Sequence, residues 1–190
     1  EAAEKYLEGT GAIVFDHINK IAFAVRSNRC DEGLFLELCQ QLGYQAVCFS
    51  AVDEEGTPVY HTNVIMCVGT GYVLLADEMI PDLKERQQVL DAISKSGNRL
   101  ISLSTMQIKL FCGNALELMP LDLSIGDNGK AKPLLVMSQS AIQGLKTQQI
   151  ATIKTYADVL AIDVKTIELA GGSLRCMLAG IHLKPKSLHR

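Results

Sequence analysis

The chain has 190 residues, a formal net charge of −3 and a hydrophobic content of 48%. This length suits a single domain, and the ordinary balance of apolar and charged residues excludes a disordered chain. The weak negative charge gives no electrostatic basis for binding nucleic acid, so no nucleic-acid partner is expected. No apolar run reaches the roughly 18 residues of a transmembrane helix, so no membrane partner is expected either.

The six cysteines lie at positions 30, 39, 48, 67, 112 and 176, without CxxC pairs. Scattered cysteines of this kind predict reduced thiols, and we therefore expect a cytoplasmic protein. No cluster has the spacing of a zinc site, so neither a metal nor another cofactor is expected. The N-terminal segment EAAEKYLEGTG has neither the basic nor the apolar part of a signal peptide.

The first predicted unit contains two strands, a helix and a third strand. The strands GAIVFD and KIAFAVRS are separated by a short polar turn. The next segment, DEGLFLELCQQLGY, has the apolar spacing of one helix face, and Gly43 is expected to end that helix. The segment QAVCFSAV is expected to form the closing strand.

The same order of elements recurs twice. The second unit has the strands of NVIMCVGTGYVLLAD, a helix that opens at Pro81 in PDLKERQQVLDAISKSG, and the strand NRLISLS. In the third unit, GNALELM and KPLLVMSQ are expected to be strands around the polar loop SIGDNGKAK. One helix is predicted over AIQGLKTQQIATIKTYA, followed by the strand DVLAIDV. SLRCMLAGIHL is expected to form a further strand.

A ββαβ unit that repeats at roughly 50 to 60 residues predicts an α/β propeller rather than one doubly wound sheet. Its helices lie outside and its strand ends face a central channel. Glycine-rich and polar residues at these strand ends are then the candidate site. Four stretches have this character: LEGTG, RSNRC, YHTNV and GGSLRC.

Cys176, in the stretch AGGSLRCMLAG, is the candidate nucleophile. Gly171 and Gly172 leave room for a ligand to approach the backbone, and Arg175 adds a positive charge that favours the reactive thiolate. The alternative is a small cysteine buried in a strand. Packing alone does not require glycines beside the cysteine, which favours the catalytic interpretation.

His61 stands between turn-like polar residues directly before a strand, and histidine is the natural acid/base partner of a cysteine nucleophile. Glu8 precedes a glycine turn that could hold its carboxylate against His61 or against a cationic substrate group. Arg29 could pair with a substrate carboxylate, whereas Asn63 and Asn114 could hydrogen-bond a planar amide-like group. Each of these residues could instead be solvated or cap a turn.

The order LEGTG, SNR, HTN, FCGNALEL and GGSLRCM resembles the pentein, or guanidine-modifying, superfamily of arginine deiminases, dimethylarginine hydrolases and amidinotransferases. The similarity runs over essentially the whole chain and is nearest to the arginine-deiminase-related branch that includes citrulline-utilisation hydrolases. GGSLRCM and HTN are its most specific parts. The resemblance implies an α/β propeller of five ββαβ modules, of which about three are present here as a single domain over residues 1–190.

The resemblance also implies a hydrolase that cleaves the guanidino or ureido C–N bond of an arginine- or citrulline-like small molecule through a covalent cysteine intermediate. Cys176 matches the nucleophile and His61 the acid/base. Glu8 matches the carboxylate that binds substrate nitrogens and supports the histidine. Arg29 matches the arginine that holds the substrate carboxylate. Asn63 and Asn114 stay candidates for binding the substrate.

Two positions depart from the deiminase pattern. Deiminases carry EGGD where this chain has EGTG, and HxD where it has HTN, so Gly11 and Asn63 replace two acids. The loss of two negative charges disfavours a cationic guanidinium and favours a neutral ureido group. An amidinotransferase, a non-catalytic pentein-fold binding module and a Cys-His-Asn peptidase built on Cys176, His61 and Asn114 are the alternatives.

The modules missing from the five-module pattern are expected at the N-terminus, so this chain would be the C-terminal portion of a longer architecture. The absence of an initial methionine agrees with that expectation. An open ring exposes sheet edges and apolar surface. We therefore expect either a complementing N-terminal segment or a homo-oligomer.

Overall fold

A computed structural model describes residues 5–119 and 132–180 of the chain. Within these residues a ββαβ pattern is repeated three times, and each repeat forms its own three-stranded sheet. In every sheet the middle strand pairs antiparallel with the first strand and parallel with the third. The modular α/β architecture predicted from the sequence is therefore confirmed.

The first module follows the prediction closely. Asp31 caps its helix, because the carboxylate accepts the N–H of Leu34, and Gly43 ends the helix with a left-handed φ of 70°. The module consists of strands β1 (Ile13–Asp16) and β2 (Ile21–Val25), helix α1 (Glu32–Leu42) and strand β3 (Gln45–Phe49).

In the second module the helix begins slightly later than predicted, because Asp82, not Pro81, caps it by accepting the N–H groups of Lys84 and Glu85. A short unpredicted helix then follows, with a capping box formed by Ser104. These elements are strands β4 (Met66–Gly69) and β5 (Tyr72–Leu75), helix α2 (Leu83–Lys95), strand β6 (Arg99–Ser102) and helix α3 (Thr105–Lys109).

The third module has two helices where the sequence predicted one. Leu145 is extended, with ψ of 142°, and it separates them directly after Gly144, a weak helix former. Nearly all of the predicted loop SIGDNGKAK lies outside the described residues. The elements are strands β7 (Leu116–Leu118) and β8 (Leu134–Ser138), helices α4 (Gln139–Gly144) and α5 (Thr147–Tyr156), and strand β9 (Asp158–Ile162).

The prediction of a strand over SLRCMLAGIHL is wrong for its described part. After helix α6 (Lys165–Glu168), residues Leu174–Met177 form a short 3-10 helix. The N–H of Cys176 donates to the carbonyl of Ser173 over 3.0 Å and that of Arg175 to Asn114 Oδ1, also over 3.0 Å, so the bonds of this segment are not those of a sheet. Residues from 181 onward lie outside the described part of the chain.

The three modules stand side by side with their first strands innermost. Strand β1 contacts β4, and β4 contacts β7. Helix α2 packs against β6 of its own module and against β3 of the preceding one. As a result, the segments that lead into β1, β4 and β7 meet at one end of the molecule. None of the helices in the described ranges has the length and apolarity needed to cross a membrane.

Candidate active site

The segments that lead into the three innermost strands are joined by hydrogen bonds. The Asn63 N–H donates to the Gly11 carbonyl over 3.1 Å. The side-chain amide of Asn114 donates to the Asn63 carbonyl, also over 3.1 Å. Both asparagines are almost completely buried. Residues far apart in the sequence are thereby held in one place.

Thr62 fixes the segment that carries His61. Its buried hydroxyl donates to the Ala12 carbonyl over 2.5 Å and accepts the Val25 N–H over 2.8 Å. These bonds attach the short 3-10 helix Thr62–Val64 to the first sheet. Thr62 is not among the predicted site residues, and its position in HTN gave no signal of this role.

The Glu8 carboxylate lies between His61 and Arg29. Its Oε2 is 2.5 Å from His61 Nε2, and its Oε1 accepts a hydrogen bond from Arg29 Nη1 over 2.8 Å. The backbone strengthens this pair, because the Glu8 N–H donates to the Arg29 carbonyl. The hydrogen bond from Arg29, followed by that from His61, holds the pKa of Glu8 below its ordinary value.

Replacing Arg29 with methionine should raise the pKa of Glu8 toward its ordinary value of 4.5, because the largest stabilising contact of the carboxylate is removed. In the wild type the carboxylate, and with it the contact to His61, persists to lower pH than in the variant. NMR titration of the Glu8 side-chain carboxyl carbon measures both midpoints. Lys5→Met, which removes a cation beside Asp31, should leave the Glu8 midpoint in place. An unchanged midpoint in Arg29→Met would contradict this assignment.

Gly11 is required by the position of the His61 ring. A Cβ at residue 11 would lie 2.6 Å from His61 Nδ1 and 2.9 Å from Cε1, much closer than van der Waals contact. In the motif pattern Gly11 stands only in place of an acid, and this steric role was not predicted. A comparison of charges alone carries no signal for it.

Cys176 is exposed and lies next to the two buried asparagines. Its Sγ is 3.3 Å from the side-chain nitrogen of Asn114 and 4.0 Å from that of Asn63. Asn114 Oδ1 also accepts the N–H of Arg175 over 3.0 Å. One asparagine therefore holds both the backbone and the thiol of the turn that carries Cys176, and its N–H group favours an anionic sulfur.

The six predicted site residues belong to one connected group. Asn63 joins its two halves, since it follows His61 in the 3-10 helix segment and also reaches the thiol. Across residues 5–119 and 132–180, no three histidine, cysteine, aspartate or glutamate side chains are grouped to hold a metal ion. The members of the group are Cys176, His61, Glu8, Arg29, Asn63 and Asn114.

The geometry does not supply the triad that a Cys-His-Asn peptidase needs. Such a triad requires Asn114 to orient His61. His61 instead contacts Glu8, and Asn114 contacts Cys176 and the backbone beside it. The arrangement provides a thiol with amide donors and, next to it, a histidine supported by a carboxylate.

Three ββαβ modules that bring a cysteine, a histidine and a glutamate together at their inner ends define a pentein-fold protein of the guanidine-modifying superfamily. The family model for eukaryotic N,N-dimethylarginine dimethylhydrolase matches residues 1–183, and the chain belongs to this family. The superfamily predicted from the motifs is thus confirmed at the level of the family. A search of curated proteins finds no match.

Solved structures share the fold. The product-bound N-terminal domain of ArgZ, an arginine dihydrolase from the ornithine–ammonia cycle in cyanobacteria, matches with a TM-score of 0.67 and 17% identity, over 90% of this chain and 55% of that one. Agmatine deiminase of C. jejuni matches with a TM-score of 0.51 and 12% identity, over 90% and 55% of the two chains. The chain therefore spans about half the length of these two structures.

AgrE, solved in a ternary complex with ornithine and NAD+, matches with a TM-score of 0.66 and 16% identity. The match covers 90% of this chain and 22% of that one. At such low identities the likeness establishes the fold alone.

Proposed function

We propose that this protein hydrolyses a guanidino or ureido C–N bond of an arginine- or citrulline-like small molecule through a covalent intermediate on Cys176. The observation that carries the proposal is the convergence of an exposed thiol, two buried asparagine amides and a histidine–carboxylate pair. The family supports it, since its name describes hydrolysis of N,N-dimethylarginine. ArgZ supports it as well, having been solved with its substrate and with a covalently bound reaction intermediate.

The proposed reaction has two steps. In the first, Cys176 Sγ forms a bond to the central carbon of the substrate, and the departing amine or ammonia takes a proton from His61. In the second, His61 removes a proton from water, which attacks the same carbon and breaks the S–C bond. Because Glu8 accepts from Nε2–H, the opposite nitrogen, Nδ1, is the proton carrier.

The charges of the site favour a neutral reacting group. Asn63 Oδ1 is buried and has no hydrogen-bond partner among the residues that the structure describes, so it can accept an N–H of the substrate. It is a neutral amide where a deiminase has a carboxylate. Glu8, the remaining acid, is already bonded to Arg29 and His61. A ureido group therefore fits this site better than a guanidinium, and we propose that the exposed Arg29 pairs with the carboxylate of the substrate.

The wild-type protein should show a higher kcat/KM for citrulline than for arginine. Asn63→Asp should shift the ratio of the two values toward arginine by about tenfold, because a neutral hydrogen bond becomes charge-assisted for the cationic substrate. Steady-state assays with both substrates measure the ratio. Asn28→Asp adds the same charge at an exposed position and should leave the ratio unchanged. A wild-type enzyme that prefers arginine overturns the ureido proposal.

The proposed activity is tested by incubating the chain with citrulline, arginine and N,N-dimethylarginine. Released amine or ammonia is assayed, and acid-quenched protein is analysed by mass spectrometry. Turnover with an adduct on Cys176 is expected. Transfer to an added amine in place of hydrolysis would identify an amidinotransferase. The absence of both turnover and an adduct would favour a binding module. Casein cleavage abolished by Cys176→Ala would favour a peptidase.

We further propose that the outer face of the third sheet is covered by another ββαβ module. In the first sheet, Val47 and Phe49 of β3 are buried where α2 packs, with 8% and 0% exposure. The strand pairing makes Leu160 and Ile162 of β9 the equivalent residues, and these are 42% and 37% exposed. The face therefore has the shape and apolar character that an α2-like helix would cover.

The isolated chain should self-associate through this face at micromolar concentration, because the apolar strand residues are uncovered. The variant Leu160→Glu/Ile162→Glu should sediment as a monomer. Ile18→Glu, which changes an exposed apolar residue of the first hairpin turn, should associate like the wild type. Sedimentation velocity measures the three proteins, and a monomeric wild type would contradict the proposal.

The cysteines support a reducing location. All six are free thiols, and five of them are buried or half-buried. Free thiols persist in reducing compartments. We therefore propose that the protein works in the cytoplasm.

A further inference from the structure

An acidic side chain fastens the loop that carries Cys176. Glu168, the last residue of α6, accepts a hydrogen bond from the Ser173 hydroxyl at Oε1 over 2.7 Å. Its Oε2 accepts a second bond, from the Ser140 hydroxyl, over 2.6 Å. Ser140 belongs to α4, so one carboxylate joins the loop before Cys176 to the helices of the third module.

Ser173 connects this carboxylate to the nucleophile. The residue is completely buried, and its carbonyl accepts the N–H of Cys176 over 3.0 Å. The loop between Glu168 and Ser173 is short and is closed by the bond from the Gly171 N–H to the Glu168 carbonyl. Gly171 has a φ of 91°, which favours glycine at this turn. A movement of Glu168 is therefore transmitted to Cys176 over very few bonds.

The carboxylate is kept in its charged form. Partial burial on its own would raise the pKa of Glu168, but hydrogen bonds from the hydroxyls of Ser138, Ser140 and Ser173 outweigh it, and the pKa lies below its ordinary value. Ser138 is almost completely buried, and its hydroxyl also accepts the Ala141 N–H at the start of α4. An ionised carboxylate offers acceptors only, and here the surrounding serines supply the matching donors.

We propose that Glu168 is a positioning residue that, through Ser173, holds the Cys176 thiol against the side-chain amide of Asn114. The inference rests on the proposed role of Cys176 as nucleophile. Glu168 contacts neither the thiol nor the amide. It determines the position of the thiol indirectly, through Ser173. Glutamine at this position keeps the shape but has one acceptor oxygen in place of two, so one serine hydroxyl loses its acceptor.

Glu168→Gln should slow the labelling of Cys176 by a haloacetamidine about tenfold, because the loss of a charge-assisted hydrogen bond releases the loop. In this labelling the thiolate forms the S–C bond and halide leaves. Labelling by iodoacetamide, which needs the thiolate but carries no amidinium group, should slow less. Asp163→Asn is the matched control, since Asp163 is an exposed acid just before α6 that accepts the Lys165 N–H. It should label like the wild type.

A double-mutant cycle separates positioning from general damage. Ser173→Ala should slow amidine labelling as Glu168→Gln does. The double variant should be slowed no more than either single variant, because both substitutions remove the same hydrogen bond, between Glu168 and Ser173. Additive losses would overturn the proposal. Thermal unfolding of each variant is measured in parallel. If Glu168→Gln unfolds at a much lower temperature, Ser140→Ala becomes the deciding variant, and it must slow amidine labelling more than iodoacetamide labelling.

The outcomes for this proposal and for the proposed function are distinct. Selective labelling of Cys176 in the wild type, with the same rate in Glu168→Gln, overturns the role of Glu168 and leaves the nucleophile assignment standing. A wild-type protein whose Cys176 is not labelled in preference to the other thiols overturns both. A crystal structure of Glu168→Gln should show Cys176 Sγ displaced from Asn114, and an unmoved thiol would contradict the proposal.

Discussion

Replacing Cys176 with serine should lower kcat/KM for the ureido or guanidino substrate by at least about a thousandfold, as for other enzymes that lose a covalent nucleophile. A serine hydroxyl does not ionise near neutral pH, whereas the amide donors of Asn114 and Asn63 suit an anionic sulfur. The assay follows released amine or ammonia. A loss smaller than about tenfold would contradict nucleophilic catalysis by Cys176.

Chemical labelling should identify the same residue. Burial raises the pKa of the thiols of Cys48, Cys67 and Cys112 to about 12, so these thiols are protonated, and those of Cys67 and Cys112 are also enclosed. Cys176 is exposed and should react first with a haloacetamidine. Cys48→Ser should leave the labelling of Cys176 unchanged. His61→Ala should abolish the preference of the reagent for Cys176. Equal labelling of all six thiols would mean that the site is not assembled.

The modular fold could be predicted because each module repeats the same local signals. Asp31 and Asp82 cap the first two long helices, and Gly43 and Gly97 follow their ends with positive φ. The predicted helix and strand bounds are wrong where contacts with residues distant in the sequence determine the structure. Gly144 lies where a Cβ would be 2.9 Å from the Cys112 sulfur, and the chain leaves the helix at the next residue.

The prediction for the segment around Cys176 failed for a related reason. Its apolar residues read as a strand, but no neighbouring strand pairs with Leu174–Met177 in the described part of the chain. The N–H groups of Cys176 and Arg175 bond instead to the Ser173 carbonyl and to the Asn114 side chain. A pattern of side chains describes which residues are apolar. It does not show whether a second strand is available to pair with them.

The site residues could be found from the sequence because each stands in a short polar or glycine-rich stretch at a strand end. Their contacts could not be found. Asn114 and Cys176 are 62 residues apart, and nothing in either motif indicates that the amide meets the thiol. Glu168 gave no signal at all, because a glutamate at the end of a helix is ordinarily solvated. Its importance depends on Ser140 of α4 and on Ser173 of the loop that carries Cys176.

Gly11→Ala should lower kcat/KM about a hundredfold, because displacement of a catalytic group by roughly an ångström has an effect of this size. The new Cβ would lie 2.6 Å from His61 Nδ1 and would push the ring away from Glu8. Alanine causes no backbone strain here, since Gly11 does not have a positive φ. The unfolding midpoint should therefore change little, and kinetics together with thermal unfolding measure both quantities.

Gly9→Ala is the matched control for this prediction. Gly9 lies in the same turn and also lacks a positive φ, but its Cβ would meet nothing within 4 Å. Both substitutions restrict the unfolded chain in the same way, so a difference in activity between them reports the contact with His61. Full activity in Gly11→Ala would mean that the ring can act from another position, and the pairing of His61 with Glu8 would then not be part of catalysis.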